Sequence, residues 1–258
     1  MVQFASNLSM MFNEVDFLDR FSAAAKAGFR GVEYLFPYDF TADEISARLM
    51  DNDLKQVLFN TPAGDWDAGE RGLACNPGRI DEFRDGVAKA IEYAKVLECD
   101  QLHCMAGLTP EGADAGAVRS TYVDNLRFAS AQMGKAGIKC LMEMINTRDI
   151  PGFYLNTSAQ AEEIMAEVAS DNLYIQYDIY HMQIMEGDLC PTMERLLPKI
   201  AHMQLADTPG RNEPGTGEIN YPFIFAHLDR IGYQGWIGCE YKPAGTTTDG
   251  LGWMNPYK

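Results

Sequence analysis

The chain is expected to fold as a single (β/α)8 TIM barrel over residues 1–258, an α/β architecture, and three observations lead there. Apolar runs of strand type alternate with segments of helical period, strand first, eight times over, and parallel strands need such helical crossovers. Four of the runs close on an oxygen-bearing side chain: Glu143 in LMEMI, Asp178 in IQYDIYH, Gln204 in HMQLAD and Glu240 in GWIGCEY. Those four stand 35, 26 and 36 residues apart, close to the ~30 residues per strand-helix unit of an eight-unit barrel. An open doubly wound sheet is the competing architecture, but no G-x-G-x-x-G follows the first strand.

The elements follow in order. Apolar residues alternate in VQFASNL, a first strand ending in polar Asn7 and Ser9. Phe17, Leu18, Phe21 and Ala25 then share a helical face, with Asn13 as N-cap and Gly28 as the stop. GVEYLF is strand two, carrying Glu33; a helix from about Thr41 is marked by Ile45 and Leu49; QVLFN is strand three. The stretch TPAGDWDAGERGLACNPGR has no periodicity, and a loop of nearly twenty residues in a compact domain is commonly functional. Its Trp66 marks it as a lid over the site, because disordered segments are poor in large aromatics. A long helix through Phe83, Val87, Ile91, Ala94 and Leu97 leads to strand four, QLHCM, where His103 reads as a satisfied core residue. Val118 to Met133 mark the next helix and IKCLMEMI the fifth strand. Thr157 or Ser158 caps a helix through Val168 that leads into IQYDIYH, read as a sixth strand delivering Asp178 and His181 to the mouth. Met193, Leu196 and Leu197 give the seventh helix, AHMQLAD the seventh strand and DTPGRNEPGTGEIN a second long polar loop. Asn220 and Pro222 open a last helix, Gly232 stops it, and GWIGCEY is strand eight.

Composition limits the functional classes. With 258 residues, 47% hydrophobic and 22% charged, the chain is long enough to bury a large core. Its formal net charge of −16 repels a phosphate backbone and an anionic membrane surface, so neither nucleic acid nor membrane is an expected partner. The six cysteines form no C-x-x-C pair, and Cys104, Cys140 and Cys239 fall within apolar runs, as reduced core residues of a cytoplasmic protein do. The start MVQFASNLS lacks the basic and apolar regions of a signal peptide, and no apolar run nears ~18 residues.

An acid just past a strand is commonly a helix cap or a solvated loop residue, but four at equivalent places need one explanation. Glu143, Asp178, Gln204 and Glu240 offer only oxygen donors if Gln204 uses its carbonyl, a set suited to one hard divalent ion, Mg2+ or Mn2+. Without a cation, three carboxylates around one point would repel and be partly protonated. An ion flanked by two glutamates points to proton transfer beside a carbonyl, with Glu143 and Glu240 as the catalytic pair. That chemistry is ketose-aldose isomerisation, or epimerisation if the proton returns to the same carbon. His181, Arg211 and Lys242 are the candidates to bind an anionic substrate, a small 2-oxo or 2-hydroxy acid, which the net charge would otherwise repel. Assembly into a homo-oligomer is compatible with this reading.

At this point the motifs become familiar. FASNLSMMF, VEYLFPY, FNTPAGDWDAGERGLA, GEINYPFIF and GYQGWIGCEYKPAGTTTDGLGW resemble the hydroxypyruvate isomerase family, nearly end to end. That family lies within the xylose-isomerase-like barrel superfamily. The resemblance implies interconversion of hydroxypyruvate and tartronate semialdehyde, with Glu143 and Glu240 matching the family's acid-base pair. The wider superfamily often has His where this chain has Gln204. Endonuclease IV, another member, needs several histidines for a three-zinc cluster, and this chain has four in all. Isomerases of four-carbon acids such as 2-oxo-tetronate are also similar, and one hydroxymethyl group is a matter of pocket volume. Related sugar-acid isomerases or 3-epimerases stay open, as does a non-catalytic barrel that binds a sugar acid, although binding alone does not need two bases.

Overall fold

The structure, a computed structural model, describes residues 2–257. Eight parallel strands close into a barrel in sequence order: β1 (Gln3–Asn7), β2 (Gly31–Glu33), β3 (Lys55–Asn60), β4 (Gln101–His103), β5 (Lys139–Glu143), β6 (Leu173–Asp178), β7 (Ile200–Leu205) and β8 (Trp236–Cys239). The helices are α1 (Phe17–Lys26), α2 (Ala42–Asp51), α3 (Ile80–Val96), α4 (Ala115–Lys135), α5 (Ser158–Val168), α6 (Ile179–Met185), α7 (Leu189–Leu196) and α8 (Tyr221–Ile231), with 3-10 segments at Leu197–Lys199 and Asp249–Tyr257. The strands are short and almost wholly buried, which is why they read as continuous apolar runs rather than alternating ones.

Local chemistry sets most element ends. Thr41 makes a full capping box with Glu44, the Thr157 hydroxyl accepts from the Gln160 N–H, and the Asn220 side chain accepts from Phe223 N–H. Gly232 ends α8 at φ +80°, a left-handed conformation that costs a glycine nothing. Two expectations change. Asn13 does not cap α1: the helix starts at Phe17 after Asp16, and the Asn13 amide donates instead to Met10 O. The run IQYDIYH is not one strand, because β6 stops at Asp178 and α6 begins at Ile179. The reason is Asp178, whose Oδ1 accepts the N–H groups of Tyr180 (2.8 Å) and His181 (3.4 Å) and so starts a helix. Two helices, α6 and α7, therefore lie between β6 and β7, and Leu197 falls in the 3-10 segment.

Contacts cluster into two units, one running up to Val57 and again from Tyr177 onward, the other Leu58–Gln176. In the first unit, β1 lies between β2 and β8, with Asn7 opposite Glu33 and Ser6 opposite Cys239, and β7 sets Gln204 opposite Gly238. Its base is aromatic: Phe4 meets Phe225 (5.2 Å between ring centroids) and Trp253 (5.0 Å), and Phe225 meets Tyr257 (5.0 Å), tying α8 and the terminal 3-10 segment to β1. In the second unit, β3 to β6 pair in succession, with Asn60 opposite His103 and Glu143 opposite Gln176. There Asn172 donates to Ser130 O and Ile138 O, joining the end of α4 to the strand that follows. All six cysteines are free. Among the described residues no helix is long and apolar enough to cross a membrane.

Phe225 is 1% exposed and central to the aromatic base. Phe225→Ala is expected to cost about 3–5 kcal/mol of unfolding free energy, measured from the denaturant midpoint. A midpoint within error of wild type would show that the cluster holds nothing together.

Candidate active site

Within the first unit the strand ends carry a buried polar network. Glu33, 0% exposed at the end of β2, receives Asn7 Nδ2 (3.0 Å) and Gln204 Nε2 (2.8 Å) on Oε1 and faces His202 Nε2 at 2.7 Å with Oε2. Glu240, directly after β8, receives Gln204 Nε2 (2.5 Å) and Asn7 Nδ2 (3.4 Å) on one oxygen and Arg211 Nη2 (2.6 Å) on the other. The Gln204 amide thus bridges two carboxylates. Their charge decides its orientation: the N–H2 end faces the acids. Room for Glu33 comes from Gly238, where a Cβ would overlap the Glu33 carboxylate.

Crowding so many acids in a dry place has a cost, and the carboxyls show it. Burial, with Asp178 and Glu33 adding to it, pushes Glu240 up to about 8 even though Arg211 and the Gln204 N–H pull the other way. Burial likewise raises Asp178 to about 6 against the pull of Arg211 and two backbone N–H groups. The His181 imidazole is driven down by burial and by Arg211 and is therefore neutral. Its Nε2 stands 3.6 Å from Asp178 Oδ2, a buried oxygen with no hydrogen-bond partner among the described residues.

These features fit a resident divalent ion. Asp178 Oδ2 beside the neutral His181 imidazole offers a cation two buried ligand atoms, and a positive charge there would offset the repulsion between Asp178 and Glu240. Sequence reasoning gives His181 to the substrate, yet a neutral imidazole beside Asp178 is also ready to act as a ligand.

The second unit carries Glu143, 5% exposed at the end of β5. His103 lies 3.6 Å from Glu143 Oε2, with its Nδ1 3.1 Å from Asn60 Oδ1. The long loop carrying Trp66 is anchored along one arm: Cys75 N donates to Ala106 O (2.8 Å), and Gly72, at φ +119°, sits where a Cβ would strike Met105. Trp66 is half-buried, with the Arg71 guanidinium 4.0 Å above its ring, while Asp65 and Asp67–Gly69 are exposed.

The two expected substrate cations part company in the structure. Arg211, at φ +55°, reaches Glu240 and lies 5.1 Å over the Tyr180 ring. Its loop is built around Asp207, whose two oxygens accept the N–H groups of Thr208, Ile219, Gly215 and Gly217. Lys242 is exposed; its backbone N–H binds Arg211 O (2.8 Å), but its side chain lines a separate cavity.

Sequence reasoning placed Asn7 and Glu33 on their strands without a role in the site and passed over His202 and Asp207. Glu33 closes strand two as the other acids close theirs, and His202 stands two residues before Gln204, on the same face of a strand. Those were the available signals.

A model of the xylose isomerase-like TIM barrel family matches residues 21–257. Over the full length of both proteins the chain is 53% identical to the hydroxypyruvate isomerase of Escherichia coli. The chain belongs to the hydroxypyruvate isomerase family of xylose isomerase-like TIM barrels. Within this family it is also 52% identical to a 2-oxo-tetronate isomerase of Cupriavidus necator, covering 100% of this chain and 99% of that one. A solved structure from Brucella melitensis, described as an AP endonuclease of family 2, superposes with a TM-score of 0.98 at 49% identity, covering all of both chains. The 3-keto-D-glucoside 4-epimerase of Escherichia coli shares the fold at TM-score 0.83 and 19% identity.

Two outcomes are expected from this geometry. Gly238→Ala should displace the Glu33 carboxylate, costing about 1–3 kcal/mol by overpacking and lowering turnover as well; a variant with wild-type melting and turnover would mean that Glu33 needs no such room. The second concerns pH. Asp178 and Glu240 are both raised above their ordinary values of 3.8 and 4.5. Each therefore favours the folded state when protonated, and that contribution is lost as pH rises through about 6 and about 8. Melting temperature in a chelator should fall across this window, and Mn2+ should flatten the fall. Identical profiles with and without the ion would speak against a cation among these acids.

Proposed function

We propose that the protein is an aldose-ketose isomerase that interconverts hydroxypyruvate and tartronate semialdehyde, with the 2-oxo-tetronate pair as its four-carbon counterpart. Glu240 carries the reading: a buried carboxyl held between the Arg211 guanidinium and the Gln204 amide, and raised by burial above the ordinary value of an acid, is equipped to exchange a proton with a bound substrate. The two acids are isomers. One hydrogen leaves C3 and one arrives at C2, while the hydroxyl proton passes between the two oxygens, so no oxidant is required.

In this reading Glu143 and Glu240 stand on opposite sides of the substrate, one removing the proton and the other supplying it, through an enediolate. Parallel strands bring their C-terminal ends to one mouth, which supports joining Glu143 on β5 to the residues that close β6, β7 and β8. Glu143, Asp178, Gln204 and Glu240 would hold one divalent ion, Mg2+ or Mn2+, and Glu143, Asp178 and His181 each offer a buried ligand atom. When bound, such an ion polarises a carbonyl and its neighbouring hydroxyl and so eases loss of the proton between them. Arg211 and neutral His181 meet the substrate carboxylate, Arg211 with a two-pronged match. The Trp66 loop covers the site and excludes water.

The reaction belongs to a reducing cytoplasm, where six free cysteines stay reduced. Residues 1–258 act as one domain, which the family match over 21–257 supports. A DNA-repair reading, which the description of the Brucella structure raises, is disfavoured by the charge of −16 and by the engagement of His202 with Glu33 and of His227 with Cys190 O and Arg230.

The test is Glu143→Gln and Glu240→Gln, assayed with hydroxypyruvate while bound metal is measured. Each should keep metal and lose ~10²-fold or more in turnover, and wild type in D2O should place deuterium on the product carbon. Near-normal turnover in either metal-bound variant removes that glutamate from proton transfer. Full retention of the original hydrogen together with active variants would point to a hydride shift instead.

A further inference from the structure

Glu33 is 0% exposed, which leaves it no contact with a bound substrate, and yet donors from two other strands converge on it. Its Oε1 takes one hydrogen from the Asn7 amide on β1 and one from the Gln204 amide on β7, while Oε2 faces His202, also on β7. The His202 hydrogen belongs on Nε2, where Glu33 accepts it, because Nδ1 is buried and has no partner among the described residues to receive one. Both oxygens of Glu33 are therefore committed.

An amide nitrogen carries two hydrogens, and both amides use the second on the same atom. Gln204 (2.5 Å) and Asn7 (3.4 Å) each donate to Glu240 Oε2, while Glu240 Oε1 is held by Arg211. The two amides differ in what fixes them. Asn7 has its carbonyl oxygen held by the Ser9 N–H (3.1 Å), so its orientation does not depend on Glu33. Gln204 is committed by the carboxylates, since turned end for end it would set its carbonyl oxygen against both. Gln204 also makes the shorter bond to Glu240. The acceptor at Glu33 Oε1 thus decides how firmly Glu240 Oε2 is held, and without that bond the carboxyl keeps one well-anchored oxygen of two.

Building on the isomerase reading, we infer that Glu33 is a positioning residue for the reaction: it aligns the Gln204 amide and, through it, the Glu240 carboxyl that exchanges the proton. It acts by where its Oε1 stands, not by its charge. A proton-transferring group displaced by about 1 Å can lose ~10²-fold in rate, so an acid that never meets the substrate still governs turnover.

Two substitutions separate place from charge. Glu33→Asp keeps the charge and draws the acceptor back by one methylene. Glu33→Gln keeps the reach, with its carbonyl oxygen in the place of Oε1, and loses the charge. Its N–H2 end then meets His202, whose hydrogen must move to the partnerless Nδ1, so this variant loses stability. Both are assayed with hydroxypyruvate at a temperature where circular dichroism shows them folded, and melting temperatures are recorded. Glu33→Asp should lose ~10–100-fold in kcat with KM little changed, because Glu33 does not touch the substrate. Glu33→Gln should melt below wild type yet keep a kcat close to it. Wild-type kcat in Glu33→Asp, a loss confined to KM, or a loss in Glu33→Gln as large as that in Glu33→Asp overturns the assignment while leaving the isomerase standing. Should Glu33→Asp not fold, the kcat of Glu33→Gln decides alone. If wild type turns over neither hydroxypyruvate nor the four-carbon acid, the isomerase reading falls and the positioning role with it.

Discussion

The burial of several carboxylates around one amide is the constraint on which the rest of this structure depends. An ionised carboxylate removed from water without partners costs many kcal/mol, so each must be matched or neutralised. Here three devices act together. Asn7, Gln204 and His202 supply hydrogen bonds, Arg211 supplies a full positive charge, and Gly238 leaves room for Glu33. At Glu240 these devices lose to burial and to the neighbouring acids, for its carboxyl is pushed up to about 8 despite Arg211. A carboxyl raised by burial in this way suits the proton transfer proposed for Glu240.

Arg211 shows how a loop without regular structure can place a charge. Four backbone N–H groups converge on Asp207, one side chain 1% exposed. A charged acceptor with four donors is a strong local constraint, and it fixes both ends of the 207–220 loop. The guanidinium then leaves from a left-handed residue and is steadied over Tyr180. The loop carrying Trp66 is held differently, by backbone pairing at Gly72 and Cys75 and by Arg71 against Trp66, with its acidic tip left in solvent. One long loop is thus pinned by a carboxylate and the other by its own backbone.

The four histidines separate the functions open to the barrel. His202 is spent on Glu33 and His227 on Cys190 O and Arg230, both as structural partners. His181 and His103 stand beside acids, at Asp178 and Glu143 respectively. Two histidines are thus held by structural partners, and two lie beside buried carboxylates.

Much of the barrel was legible in the sequence because its signals are local. Eight apolar runs, the capping box at Thr41, the Asn220 cap and Gly232 each act over a few residues, and the strand-end oxygens Glu143, Asp178, Gln204 and Glu240 repeat at the spacing of strand-helix units. Where the reading slipped, at Asn13 and in IQYDIYH, two local signals competed. Asp178 could close a strand or open a helix, and it does both, which sequence pattern does not separate. The partners of these side chains were decided only by the tertiary structure. Glu33, His202 and Asn7 look like ordinary core or strand-end residues until parallel register sets Asn7 opposite Glu33 and Gln204 opposite Gly238. Lys242 and Arg211 look equivalent as loop cations, yet one lines a cavity and the other binds Glu240. Hydrophobic periodicity specifies which face of a strand is buried, whereas hydrogen-bond pairing among buried polar groups depends on distances between residues more than a hundred positions apart, and those exist only once the chain has closed.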